Sequence, residues 1–359
     1  MRRETNPSDL GEEKVTEVPV SHREPYTRRD AAVFARRYGI ILVFILLCLL
    51  VSAVCQYKVI RGEWPENAFT TRDNFLLILY QVSINGILAI GMTIVIISGG
   101  IDLSVGSVLA FAGMLAASFA TGSAAVTPWS GSYGIAIPAI SALLAGVACG
   151  ALNGWVVSRF RIQAFIATLG MLLAARGFTM SLTGGNPISS LSPALRWFGT
   201  GRLFRVPVPI VILLVVFGCA WVLLNKTVFG RHVYAVGGNE NSARTSGIKT
   251  NRVKIWVYVS SGFLAGLAGI ILTAKTGSAQ TNAGSSYELD AIAAAVIGGS
   301  SMKGGVGTVS GTLFGALIIG VMNNGLDILG VESFYQSIAK GVLIVAAVIL
   351  DASRGQADD

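Results

Sequence analysis

The sequence predicts an all-α, polytopic membrane protein of about ten transmembrane helices. Three observations carry that expectation. Residues 103–158 contain no Asp, Glu, Lys, Arg or His. A bilayer core takes about 20 apolar residues per helix, so this stretch has room for two spans and a turn. Hydrophobic residues make up 53% of the chain and charged residues only 13%, against roughly 25% charged in a soluble domain. The basic residues fall in loops between apolar runs, as the positive-inside rule describes. The net charge of +8 is therefore read as membrane topology, and nucleic acid is set aside as a partner.

The elements follow in order. Residues 1–34 mix acids and bases without an apolar face, which predicts a disordered cytoplasmic tail. Residues 38–55 form the first apolar run. The long polar leader ending in Arg36 and Arg37, and the lack of a small-residue cleavage site, predict an uncleaved span. Residues 75–97 are the second span. The neutral stretch splits into 103–120 and 134–157, with a turn near Thr127, Pro128 and Gly131. Residues 162–182, broken only by Arg176, are the fifth, 206–225 the sixth and 255–274 the seventh. Residues 291–302 are too short to span unless Leu289 and Asp290 also enter. Residues 304–326 and 334–350, the latter with Lys340, complete the set. Eight spans are the minimum expectation. The transmembrane domain is placed at 35–351, with a cytoplasmic tail at 352–359.

Loop charge sets the orientation. Between residues 226 and 254 lie Lys226, Arg231, Arg244, Lys249, Arg252 and Lys254 against one acid, Glu240. That segment is placed in the cytoplasm, as are Arg159 and Arg161 and the end of the leader. Ten spans then put both termini inside. Arg196, Arg202 and Arg205 fall on the outer side and do not support the assignment. Small residues four apart (Gly146, Gly150, Gly154; Gly262, Gly266; Gly307, Gly311, Gly315) predict close helix packing. Cys48, Cys55, Cys149 and Cys219 lie in apolar runs without a CxxC pair and predict inert thiols rather than disulfides or a zinc site.

No GxxxxGK followed by Ser or Thr is present, so the chain is not expected to bind and hydrolyse ATP. It has no HExxH or GxSxG motif and no cluster of catalytic groups; transport is the better expectation than enzymology. Polar residues inside apolar runs are candidates for a solute pathway, because they are costly in lipid unless they face protein or water. These are Gln81 and Asn85, four apart on one helix face, with Asp102, Asn153, Gln163, Thr168, Asn323 and Asn324. Amides and hydroxyls suit a neutral polyhydroxylated solute better than an ion. Interhelical hydrogen bonding is the plainer explanation for any one of them. The charged groups Asp102, Arg176, Asp290 and Lys340 serve either to lock helices or to touch solute, and a pair such as Asp290 with Lys340 is possible. Two glycine-rich breaks, 98–106 and 298–305, interrupt apolar runs. They read either as irregular backbone framing a transport site or as tight cytoplasmic turns.

The stretch from Gly91 and Met92 through Ser98-Gly99-Gly100-Ile101-Asp102-Leu103-Ser104-Val105-Gly106 resembles a signature of the sugar permeases of bacterial ABC importers, the ribose and xylose type. So do Arg161-Ile162-Gln163-Ala164-Phe165-Ile166-Ala167-Thr168, Gly230-Arg231-His232-Val233-Tyr234 onward to Asn239-Glu240, Tyr287-Glu288-Leu289-Asp290, and Asn323-Asn324-Gly325. The resemblance runs from about residue 74 to 351 and is strongest to the ribose branch; a leader of this length departs from that branch. It implies a bacterial inner-membrane permease with no catalytic residue, metal or cofactor of its own, importing ribose or another pentose. ATP and Mg would be bound by a separate ATP-binding cassette subunit. A periplasmic or lipid-anchored binding protein would deliver the sugar, and a second permease chain would complete the pathway in the lipid bilayer.

The resemblance and the charge pattern agree on residues 230–248 as the segment that docks the ATPase. Its expected residues are Gly230, Arg231, Tyr234, Asn239, Glu240, Arg244 and Gly247, with Glu240 and Arg244 spaced as an i,i+4 pair. Another sugar or polyol of the same class, an ion-coupled carrier using Asp102 or Asp290, and a structural subunit without a pathway remain alternatives.

Overall fold

The computed structural model describes residues 26–122, 130, 131 and 133–356, without the side chains of 26–38, 350 and 352–356. The expected turn residues Thr127 and Pro128 lie outside the described residues, as do 1–25 and 357–359. The chain divides into residues 1–39 and 40–359.

The structure is helical: α1 (Tyr26–Ile60), α2 (Arg72–Ile97), α3 (Val105–Ser118), α4 (Ala136–Phe160), α5 (Ala164–Ser181), α6 (Pro193–Thr200), α7 (Val208–Lys226), α8 (Val228–Gly238), α9 (Glu240–Thr245), α10 (Thr250–Thr276), α11 (Tyr287–Ile297), α12 (Val309–Ile328) and α13 (Ser333–Gln356). One two-stranded antiparallel hairpin, β1 (Arg202–Leu203) and β2 (Val206–Pro207), precedes α7. Helix α1 begins at Tyr26, inside the polar leader, and α13 continues past Asp351 to Gln356.

Among the described residues seven helices are long and apolar enough to cross a membrane: Gly39–Ile60 within α1, and α2, α4, α5, α7, α10 and α12. Reaching the expected eight or ten spans takes the shorter helices α3, α11 and α13. Helix α3 has 14 residues and α11 has 11, because the glycine-rich breaks take residues from both. The expected eighth run does start early enough to include Leu289 and Asp290, but it ends at Ile297. Residues 304–308, expected at the start of the ninth span, belong to the second break, and Thr308 caps α12 by accepting from the Gly311 N–H at 3.1 Å. Helix α10 begins at Thr250 rather than 255, so Arg252 and Lys254 lie on its first turns.

Helices α2, α10 and α12 form the centre, with more than half of each apolar window buried. The glycine ridge on α4 packs on α10: a Cβ at Gly146 would strike the Gly262 carbonyl, and one at Gly154 would come 2.7 Å from Ile255 Cα. Only hydrogens there allow the backbones to approach this closely. Polar stitches add to the packing. Asn74 and Asn324 exchange amide hydrogen bonds of 3.0 and 2.7 Å between α2 and α12, and Thr93 bonds Thr312 between the same helices. Large apolar side chains stay exposed on α1, α5 and α13, among them Leu46, Leu50, Phe165, Leu173, Ile338 and Val342. That outer surface is apolar where a soluble fold would be polar, as a lipid-facing surface requires.

Candidate functional site

Four of the expected polar residues are tied into helix packing. The Asp102 carboxylate sits in the first break, almost fully buried. It accepts from the Ser104 N–H at 3.0 Å, the Ser104 hydroxyl at 2.6 Å and the Ser261 hydroxyl on α10 at 2.8 Å. Asn153 of α4 donates to the Ser104 hydroxyl at 2.9 Å. Thr168 of α5 donates to the Ile101 carbonyl at 3.3 Å and to Ala164 at 2.9 Å. Asn324 is held by Asn74. Gln163 is exposed and occupies the cap position before α5. Arg176 donates to the Thr281 and Ala283 carbonyls at 2.7 and 2.9 Å, pinning the loop before α11.

Gln81, Asn85 and Asn323 come together elsewhere. They line a polar cavity of about 380 Å³ between α2, α10, α11, α12 and α13, with Lys275, Tyr287, Asp290, Asp327, Gln336 and Lys340. The Lys340 ammonium donates to Asp290 at 3.1 Å. Gln336 bridges to Asp327 at 2.8 Å, and the Lys275 ammonium lies 4.4 Å from the centre of the Tyr80 ring. The Gln81 Oε1 and Asn323 Oδ1 atoms are buried without a hydrogen-bond partner. Such acceptors are costly when unpaired, so the cavity wall is suited to a hydroxyl-bearing guest or to water. Sequence reading passed over Lys275 because it lies at the edge of its apolar run. It missed Asp327 because that residue lies at the start of what reads as a loop, and passed over Gln336 although it falls at the start of the expected last span.

At the opposite ends of α2 and α12 the two glycine-rich breaks meet the basic segment. The Gly305 N–H donates to the Ile97 carbonyl at 2.8 Å. Gly237 of α8 lies so close that a Cβ there would run into that same carbonyl. Tyr234 donates its hydroxyl to the Gly307 carbonyl at 2.8 Å. Asp351 of α13 accepts from the Ser301 hydroxyl at 3.2 Å and the Met302 N–H at 3.0 Å. The breaks are therefore packed turns, held against α8.

Within the basic segment, Thr227 caps α8 through the Gly230 N–H at 3.2 Å, and Asn239 caps α9 through the Ser242 N–H at 2.9 Å. Gly247 ends the turn after α9 with φ of 86°, a conformation open chiefly to glycine. Glu240 bonds Arg244 at 3.0 Å, as the spacing predicted, and also Lys254 at 2.6 Å. Burial alone would raise the Glu240 carboxyl, but the Lys254 ammonium, aided by Thr250 and Arg244, holds it below its ordinary range. Arg231 is exposed.

Residues 74–348 match the family model described as "Branched-chain amino acid transport system / permease component". The chain belongs to this permease family. The ribose import permease protein RbsC of Escherichia coli strain K12 is 50% identical over 291 residues, covering 80% of this chain and 88% of that protein. RbsC of Haemophilus influenzae is 46% identical over 316 residues, covering 87% and 93%. The D-allose transport system permease protein AlsC of Escherichia coli strain K12 is 37% identical over 331 residues, covering 92% and 95%. No solved structure matches the chain. The resemblance carried by the sequence motifs is thus shown, and the permease is a multi-pass membrane protein. Its relatives are sugar transport permeases rather than enzymes.

Proposed function

We propose that this permease is the membrane subunit of an ATP-driven importer for ribose or another pentose. All ten apolar helices, the short α3 and α11 included, cross or enter the bilayer, with both termini in the cytoplasm. The polar cavity then opens toward the outer half, and residues 226–254 lie inside. ATP and Mg bind a separate cassette subunit that docks on α8 and α9. A sugar-binding protein delivers the solute outside, and a second permease chain completes the pathway.

One observation carries this reading. The amide-lined cavity and the cytoplasmic segment share a mechanical element, α11 with its following break. Asp290, near the start of α11, is on the cavity wall. The break after α11 is bonded to Tyr234 on α8 and to the end of α2. A displacement of α8 by the ATPase would therefore move α11 and reshape the cavity, which is what alternating access requires. Neutral amides with spare acceptors suit a sugar, and weak polar contacts suit a solute that must also leave. The carboxylates that an ion-coupled carrier would use are committed, Asp102 to serine donors and Asp290 to Lys340, and this favours the ATP-driven reading.

The test is to tag the chain, extract it gently from its native membrane and identify what accompanies it. Recovery of a two-cassette ATPase and a binding protein carrying a pentose is the expected result. Recovery of the permease alone, under conditions that preserve a known cassette complex, overturns it. Uptake that survives ATP depletion and follows the membrane potential overturns it too.

A further inference from the structure

The cytoplasmic end of α10 holds a second polar pocket, distinct from the cavity between α11 and α13. It has a volume of about 500 Å³, and its polar and charged lining comes from His232, Ser246, Lys249 and Arg252, with no carboxylate. Neither Lys249 nor Arg252 has an ion-pair partner among the described residues. Lys249 is also the cap residue of α10 and makes no capping bond with its side chain, so the positive end of that helix dipole adds to the field. Trp256, 61% exposed, also lines the pocket.

Trp256 also begins an apolar groove of about 640 Å³ between α7 and α10, floored by Ile94 of α2. On α10 the groove runs from Trp256 to Leu267. At 1.5 Å per residue that is about 17 Å, close to half of the roughly 30 Å bilayer core. A cationic pocket at the interface thus opens onto an apolar trench one leaflet deep, with an interfacial tryptophan at the join. We infer that this composite site takes an anionic phospholipid of the cytoplasmic leaflet. The phosphate would lie on Lys249 and Arg252, and an acyl chain along the groove. The inference rests on the cytoplasmic placement of residues 226–254 and on neither the solute nor the energy source.

The experiment is lipid binding to the purified full chain, read by native mass spectrometry with phosphatidylglycerol, phosphatidylcholine and inorganic phosphate as probes. Phosphatidylglycerol is expected to be retained in preference to phosphatidylcholine. K249Q/R252Q should weaken phosphatidylglycerol about thirtyfold, roughly fivefold for each cation removed, and leave phosphatidylcholine unchanged. Both side chains are exposed, so folding is not at stake, and K249R/R252K should retain the lipid. S260W, which fills the groove, should lose the lipid with both cations intact.

Equal retention by the wild type and K249Q/R252Q would overturn the inference. So would displacement by inorganic phosphate at millimolar concentration, which would indicate a free-anion site. Loss of the lipid when an ATPase partner docks would assign the pocket to that partner instead.

Discussion

Adjacent glycines at the end of α8 give a sharp test of how the basic segment is joined to the membrane helices. A Cβ at Gly238 meets nothing within 4 Å. A Cβ at Gly237 would overlap the Ile97 carbonyl and lie 2.7 Å from the Gly305 nitrogen. Ordinary contact needs about 3.5 Å, so G237A must push α8 away from the end of α2 by well over 1 Å, and relieving the Gly305 contact alone takes about 0.8 Å. The bond from the Gly305 N–H to the Ile97 carbonyl is 2.8 Å long. If the second break yields instead of α8, that bond is stretched by about 0.8 Å and is no longer a hydrogen bond.

Its loss costs about 1 kcal/mol, and overpacking adds about 1–3 kcal/mol. Alanine's better helix propensity returns less than about 1 kcal/mol at either position. G237A should therefore destabilise by about 1–4 kcal/mol, whereas G238A should be neutral or slightly stabilising. Thermal unfolding in detergent reads the difference, with the G237A midpoint lower by several degrees. Solute uptake should fall in G237A and persist in G238A. Equal midpoints for the two variants would refute the close junction of α8 with the breaks.

Three further outcomes are expected. In the Asp290–Lys340 pair, the acid is 4% exposed and the lysine 27%. Removing the cation strands a buried charge, so K340M should cost about 3 kcal/mol and D290N distinctly less, and equal costs in chemical unfolding would contradict the geometry. Y234F keeps the ring and removes the bond to Gly307; ATPase activity should persist while uptake per ATP falls, and unchanged stoichiometry would remove Tyr234 from the linkage. For Glu240, a carboxylate held below its ordinary value contributes stability above its unfolded value and loses it as pH falls through the lower folded value. Hydrogen exchange at residues 240–250, corrected for intrinsic rate, should stay slow down to the ordinary glutamate range and quicken only below it. E240K should open the same segment at neutral pH and uncouple ATP hydrolysis from transport while leaving the helices folded.

The sequence by itself determined the helical membrane class, the order of the apolar runs and the basic segment, because hydropathy and charge are local properties that lipid and water sort directly. Family motifs spread along most of the chain added the permease assignment. The glycine spacings on α4 and α10 also announced close packing in advance. Tertiary structure decided what each polar residue does. Asn323 and Asn324 are neighbours in sequence, yet one faces a cavity and the other locks α12 to α2, because successive residues on a helix point about 100° apart. Which direction meets space and which meets Asn74 depends on helices far away in the chain. The same holds for the glycine breaks: composition permits a turn at residues 98–104 and at 298–308, but only the fold brings both turns against Gly237.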